Sequence, residues 1–112
     1  MKKIEAVIRP EKLEAVRVVL EKAGCSGIMI TEIEGHGKQR GVVQQWRGEK
    51  YKVALLPKIK VEVVVNDQDL ERITRSIIEA AKTGEIGDGK IFISNIEDAI
   101  RIRTGERGPG VL

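Results

Sequence analysis

Three short runs of this chain carry positive charge, two of them beside closely spaced glycines. The first, Gly84-Glu-Ile-Gly-Asp-Gly89-Lys90, satisfies the opening seven positions of the phosphate-loop pattern GxxxxGK. It then departs from it, because Ile91 stands where Ser or Thr should hold magnesium. The run also follows a helical pattern and precedes a strand-like one, the reverse of the order that pattern needs, so a P-loop NTPase is excluded. What survives is that closely spaced glycines let backbone N–H groups approach an anion, with Lys90 alongside. The second run is Arg101-Ile102-Arg103. On an extended segment residues i and i+2 share a face, and two guanidinium forks side by side suit a polyphosphate or carboxylates. The third is Gly35-His-Gly-Lys-Gln-Arg-Gly41. Taken singly, the first run reads equally well as a connecting turn, and the second as a charged edge strand. Taken together, the three runs are the chain's candidates for meeting an anionic ligand.

Little else in the chain could do chemistry. His36 has no nucleophile or orienting acid near it in the pattern, and a lone loop histidine is usually an exposed residue. There is no paired-carboxylate, nucleophile–base or metal-cluster spacing, which speaks against catalysis. Cys25, the single cysteine, follows a helix end and reads as a packing residue; one cysteine also fits a reducing cytosol. Trp46 and Tyr51 are large aromatics in a charged stretch, the sort held out for a partner or packed back on the body.

The elements that must position these runs fit one domain of 112 residues, with 41% hydrophobic and 33% charged side chains. That balance excludes disorder, and no apolar run approaches the roughly 18 residues of a membrane span. The start, Met1-Lys-Lys-Ile, enters Glu5 without an apolar signal core, so no export signal is expected. Between Gly35 and Lys60 there are seven basic residues against one acid, +6, which leaves −3 for the rest of a chain whose net charge is +3. A cationic segment on a mildly acidic body suggests an anionic ligand or partner, although solvated lysines give the same count.

An internal echo at an offset of 57 organises the rest. Lys3-Ile-Glu-Ala-Val7 returns as Lys60-Val-Glu-Val-Val64, and Leu13, Val16, Leu20, Ala23 and Gly27 return as Leu70, Ile73, Ile77, Ala80 and Gly84. Each half reads strand, helix, strand. The strands are expected at Lys2–Arg9, Ile28–Glu34, Lys58–Val65 and Lys90–Ser94, with a short fifth at Arg101–Arg103. Helices are expected from about Glu11 to Ala23, closed by Gly24, and from a cap at Asn66 or Asp67 to about Lys82, followed by Gly84. Two such units make βαββαβ, an α+β ferredoxin-like sandwich with helices on one sheet face. Val7 and Val64 fall on the other face, which predicts self-association. The more than twenty residues from Gly35 to Pro57 show no period, and loops beyond roughly 12–15 residues are usually functional or disordered.

The whole chain resembles the PII signal-transduction family of nitrogen regulation. The likeness runs through Met1-Lys-Lys-Ile, Arg47-Gly48 with Tyr51, Leu56-Pro-Lys58, Thr83-Gly-x-Ile-Gly-Asp-Gly-Lys-Ile-Phe92 and Arg101-Ile-Arg-Thr-Gly-Glu106. The resemblance implies a cytoplasmic homotrimer, a single domain over 1–112, with nucleotide sites in the clefts between subunits. It implies a partner-binding T-loop at about 37–55, a phosphate-binding B-loop at about 83–89 and a C-terminal segment at about 101–112. By position, Gly87, Asp88, Gly89, Lys90, Arg101 and Arg103 would serve the phosphates of ATP or ADP, with Gly35, Gly37 and Lys38 approaching from the T-loop base. Glu62 and Val64 would lie near ribose and adenine, Gln39 would complete Mg2+ coordination, and Lys58 would meet a carboxylate of 2-oxoglutarate. Arg47, Trp46 and Tyr51 would meet the partner, an ammonium transporter at the membrane or a nitrogen-metabolism enzyme such as glutamine synthetase. This sequence has Lys38 where members commonly have arginine, and Met29 where they have a small hydroxyl residue. The family's modification pattern Tyr-Arg-Gly-Ala-Glu-Tyr appears as Trp46-Arg-Gly-Glu-Lys-Tyr51, so Tyr51 stands in an altered flank and Glu49 replaces a phosphorylated serine of some relatives. Two rivals share the fold plan. An RRM-like nucleic-acid module needs aromatics on its sheet, where only Phe92 is expected, and an acylphosphatase-like enzyme needs an Arg/Asn pair about a phosphate loop, which is not found.

Overall fold

The computed structural model describes the backbone of residues 1–36, 44–46, 49–51 and 55–112, and the side chains of 1–34 and 56–112. Apolar residues alternating along β1 (Lys2–Ile8) and β5 (Leu55–Val65) bury Ile4, Ala6, Ile8, Ile59, Val61, Val63 and Val65 on one face. Over that face lie α1 (Leu13–Lys22) and α2 (Leu70–Ala81), each turning an i, i+4 stripe inward: Val16 and Leu20, then Ile73, Ile77 and Ala81. Among the described residues the buried core is wholly aliphatic. With β2 (Met29–His36) and β6 (Lys90–Asn95) the sheet runs β2-β5-β1-β6, every neighbour antiparallel. This is the ferredoxin-like α+β arrangement expected from the repeat, with the equivalent strands β1 and β5 side by side at its centre.

Gly24 ends α1 as its spacing suggests. At φ +84° it lets its N–H reach Glu21 O at 3.0 Å and the Cys25 N–H reach Leu20 O at 3.0 Å, the two bonds of a Schellman cap. Other expectations need correcting. Both helices begin later, after 3-10 turns at Pro10–Lys12 and Asp67–Asp69, and neither Asn66 nor Asp67 caps α2 through its side chain. Gly84 is not a helix cap: Lys82, extended at φ −71°, ψ 132°, ends α2 first. The stretch between β2 and β5 is not wholly without period, because β3 (Gln44–Trp46) pairs with β4 (Glu49–Tyr51) as a two-stranded ribbon. Trp46 and Tyr51 are therefore strand residues, though outside the main sheet.

Arg101–Arg103 is not a strand. Gly105, at φ +75°, donates its N–H back to Arg101 O at 2.7 Å, while the Arg101 N–H reaches Glu106 O at 2.9 Å. The segment closes into a turn beside the Ile100–Arg107 bridge, so the two arginines do not share an extended face. Arg101 pairs with Glu106 at 3.1 Å, and Ile102 between them is fully exposed.

The uncovered face of the sheet is less apolar than Val7 and Val64 suggested. Glu5 and Glu62 sit directly opposite each other on β1 and β5, a repulsive pairing of like charges. Lys3 relieves it by reaching Glu5 at 2.8 Å and Glu62 at 3.4 Å, and Lys60 reaches Glu62 at 3.3 Å. Phe92 and Met29, about half exposed, flank this ionic cluster on β6 and β2.

Candidate functional site

Residues 83–89 join α2 to β6 and carry three glycines at positive φ: Gly84 at 89°, Gly87 at 104° and Gly89 at 102°. At Gly89 the requirement is absolute, since a Cβ there would lie 1.7 Å from Val7 O on β1. The loop is organised from inside by Asp88. One carboxylate oxygen accepts the N–H groups of Thr83 and Gly84, both at 2.9 Å. The other accepts the Thr83 hydroxyl and, at 3.1 Å, Arg9 Nε. The Thr83 hydroxyl, the two amide bonds and Arg9 together outweigh partial burial and hold the Asp88 carboxyl well below the usual carboxylate range. Asp88 is thus turned into its own loop, with its oxygens occupied by these donors.

Two cations grip the backbone of the same loop. Arg9, at the end of β1, donates Nη2 to Ile86 O at 3.0 Å. Lys58, on β5, donates Nζ to Gly87 O at 2.6 Å. Both carbonyls are therefore satisfied, and the Asp88 N–H is engaged in the hydrogen-bonded turn at 86–87, while among the described residues nothing accepts from the N–H groups of Gly87 or Gly89. Lys90 follows at once, exposed, paired across the sheet with Val7. A slot of about 280 Å³ lies beside the loop on the helix side, walled by Ile77, Ile78, Ala81 and Ile91. Free amides and a lysine around a glycine loop can bind an oxyanion such as a phosphate.

The remaining sequence candidates fall in two groups. Gly35 lies on β2 opposite Leu56, two positions along from the Ile33–Lys58 pair. Through Lys58 the start of the long β2–β5 arm therefore meets the glycine loop. Glu62 and Val64 lie on the uncovered sheet face, Glu62 held by Lys3 and Lys60. Arg101 and Arg103 do not join this group within the chain. The partners of segment 98–107 are local, Arg101–Glu106 and Arg107–Asp98 at 2.8 Å, and Arg103 has no ion pair among the described residues. Within one chain Arg101–Arg103 therefore stands apart from the glycine loop, and of Gly35–Lys38 only the backbone of Gly35 and His36 is described. Gly37, Lys38, Gln39 and Arg47 lie outside the described residues; of Trp46 and Tyr51 the backbone alone is described. Among the described residues no cluster of His, Cys, Asp and Glu could hold a metal ion, and no helix is long and apolar enough to cross a membrane.

Arg9, which holds both Asp88 and the Ile86 carbonyl, is the loop-binding residue that the sequence pattern does not signal. Its only local mark is a charge closing a strand just before Pro10.

A family profile described as Nitrogen regulatory protein P-II matches residues 1–106. The chain is 54% identical over 108 residues to "Nitrogen regulatory protein P-II 2" of Methanothermobacter thermautotrophicus, covering 96% of this chain and 94% of that one. It is 55% identical to "Nitrogen regulatory protein P-II" of Bradyrhizobium diazoefficiens over 96% of both chains, and 52% identical to the protein of the same name from Nostoc punctiforme, also over 96% of both.

Proposed function

The chain belongs to the P-II family of nitrogen regulatory proteins, and on that premise we propose that it is a cytoplasmic sensor of ATP, ADP and 2-oxoglutarate. As a member of that family it is a signal-transduction regulator of nitrogen metabolism and not an enzyme. The observation that carries the nucleotide reading is the glycine loop, whose free amides at Gly87 and Gly89 adjoin Lys90. Donors of this kind fit the phosphates of ATP or ADP. The bound nucleotide would supply the charge on which Mg2+ and 2-oxoglutarate assemble, with Gln39 on the metal and Lys58 on a 2-oxoglutarate carboxylate. Lys58 is suitably placed for this, because it already spans from the arm to Gly87.

The proposed active form is a homotrimer. Arg101 and Arg103 lie apart from the loop in one chain, so a second copy must bring them to the phosphates. The uncovered sheet face, with mixed charges and half-exposed Phe92 and Met29, is suited to meet its own copies. Gly35, Gly37 and Lys38 approach the site from the arm, and Glu62 and Val64 border the nucleoside. Arg47, Trp46 and Tyr51 on the arm present the output to an ammonium transporter at the membrane or to a nitrogen-metabolism enzyme.

Light scattering and calorimetry test the reading together. The protein should scatter as about three times 12.4 kDa, ATP and ADP should compete, and 2-oxoglutarate should bind only with Mg-ATP. Arg103→Ala should weaken ATP by roughly 1.5–3 kcal/mol, the scale of a charge-assisted hydrogen bond. Lys58→Ala should keep ATP but lose the 2-oxoglutarate response. Equal binding of 2-oxoglutarate with and without Mg-ATP would defeat the mechanism.

A further inference from the structure

We propose that Arg9 is a positioning residue for the anion site, a clamp that aims the Gly87 N–H outward before any ligand arrives. The proposal rests on the nucleotide reading above. In a trans peptide the carbonyl oxygen and the amide hydrogen point to opposite sides of the chain, and the described chain has no cis bond. Arg9 Nη2 holds Ile86 O at 3.0 Å, so the Gly87 N–H of that same peptide plane points away from Arg9. Lys58 does the same to the next plane, holding Gly87 O at 2.6 Å and turning the Asp88 N–H away from itself. Two consecutive amides are thus oriented by cations gripping their carbonyls. The positive φ of Gly87, at 104°, is what lets the chain present successive planes in this way.

Arg9 is suited to the task by shape as well as charge. Its rigid fork reaches two acceptors on either side of Gly87, the Ile86 carbonyl through Nη2 and the Asp88 carboxylate through Nε at 3.1 Å. The side chain is only 16% exposed, so it is held in that position rather than sampling solvent. A lysine has one point charge on a flexible stem and cannot span both acceptors with fixed geometry. Anion affinity should therefore depend on the fork and not on the positive charge alone, because ordering the loop in advance removes that cost from binding.

The test uses the full chain with Arg9→Lys and Arg9→Met. Circular dichroism first checks that both fold, and calorimetry measures ATP affinity. Nitrogen-15 NMR follows the Gly87 amide without ligand. Both variants should bind ATP about tenfold more weakly than the unaltered protein, and the Gly87 resonance should move in both. If Arg9→Lys restored full affinity, charge alone would matter and the clamp would be wrong. An unmoved Gly87 resonance in both variants would overturn it equally. Unaltered protein that ignored ATP would refute the nucleotide reading instead, leaving the Gly87 resonance to decide on the clamp. Should Arg9→Met fail to fold, Arg9→Lys carries the same comparison.

Discussion

Replacing Gly89 by alanine puts two separable penalties on one residue. The first is conformational: φ +102° is a region that L-residues rarely adopt, at a cost of about 1–3 kcal/mol. The second is a collision. The new Cβ would stand 1.7 Å from Val7 O and 2.8 Å from Val7 C, whereas carbon contacts are comfortable near ~3.5–4.0 Å. Both atoms are backbone, so no side chain can swing aside. Relief requires β6 to part from β1 at its Val7–Lys90 rung, at about 1–3 kcal/mol of overpacking strain. The sum is roughly 2–6 kcal/mol, a large part of the ~5–15 kcal/mol that usually holds a domain together. Gly84→Ala is the natural control, because Gly84 also has positive φ, at 89°, yet nothing lies within 4 Å of the place its new methyl would take. Urea unfolding at one fixed protein concentration should place Gly89→Ala about 1–2 M below Gly84→Ala, taking a slope of ~1–3 kcal/mol per M. Coincident midpoints would show that β1 and the loop are not as tightly apposed as the structure has them, and the reasoning would fail.

Asp88 makes acid a probe of the loop: its depressed pKa contributes stability that is present above the ordinary carboxylate value near ~4 and is lost as pH falls below it. Asp88→Asn should therefore melt below the unaltered protein at pH 7, with the gap closing on acidification past about pH 4; a gap unchanged at pH 3 would contradict this. Ile77→Ala, at a position 1% exposed, should lower stability by about 2–5 kcal/mol, while its neighbour Ile78→Ala, at 49% exposure, should lose under ~1 kcal/mol. Equal losses in thermal unfolding would mean that α2 is rotated from the described face.

The strands and helices are legible in the sequence because their signal is local and duplicated. Val16 and Leu20 in one half, and Ile73 and Ile77 in the other, repeat the same inward stripe at an offset of 57. Gly24 is legible as a cap for the same reason, since a Schellman turn is closed by its own neighbours. Arg101–Arg103 misleads because the i, i+2 spacing says what a segment would do if extended, not whether it is. Gly105, two residues on, folds it back. Arg9 is illegible for a different reason. Its partners Ile86 and Asp88 are 77 and 79 positions away, brought near by the β1–β6 pairing, and no local pattern records such a meeting. The glycine loop itself is visible in the sequence, but its inner wiring is not: Asp88, grouped there with the phosphate-serving residues, is the hub of the loop's own hydrogen bonds.

The wholly aliphatic core has an optical consequence. With no tryptophan, tyrosine or phenylalanine inside it among the described residues, melting of the core changes far-ultraviolet circular dichroism while leaving the aromatic signals without a direct reporter there. Trp46 and Tyr51 belong to the β3–β4 ribbon, and Phe92 to the uncovered sheet face. Fluorescence from the single tryptophan is therefore a native probe of the arm, requiring no attached dye. An emission change on adding nucleotide or 2-oxoglutarate, with far-ultraviolet ellipticity constant, would be read as rearrangement of the arm over an unmoved body.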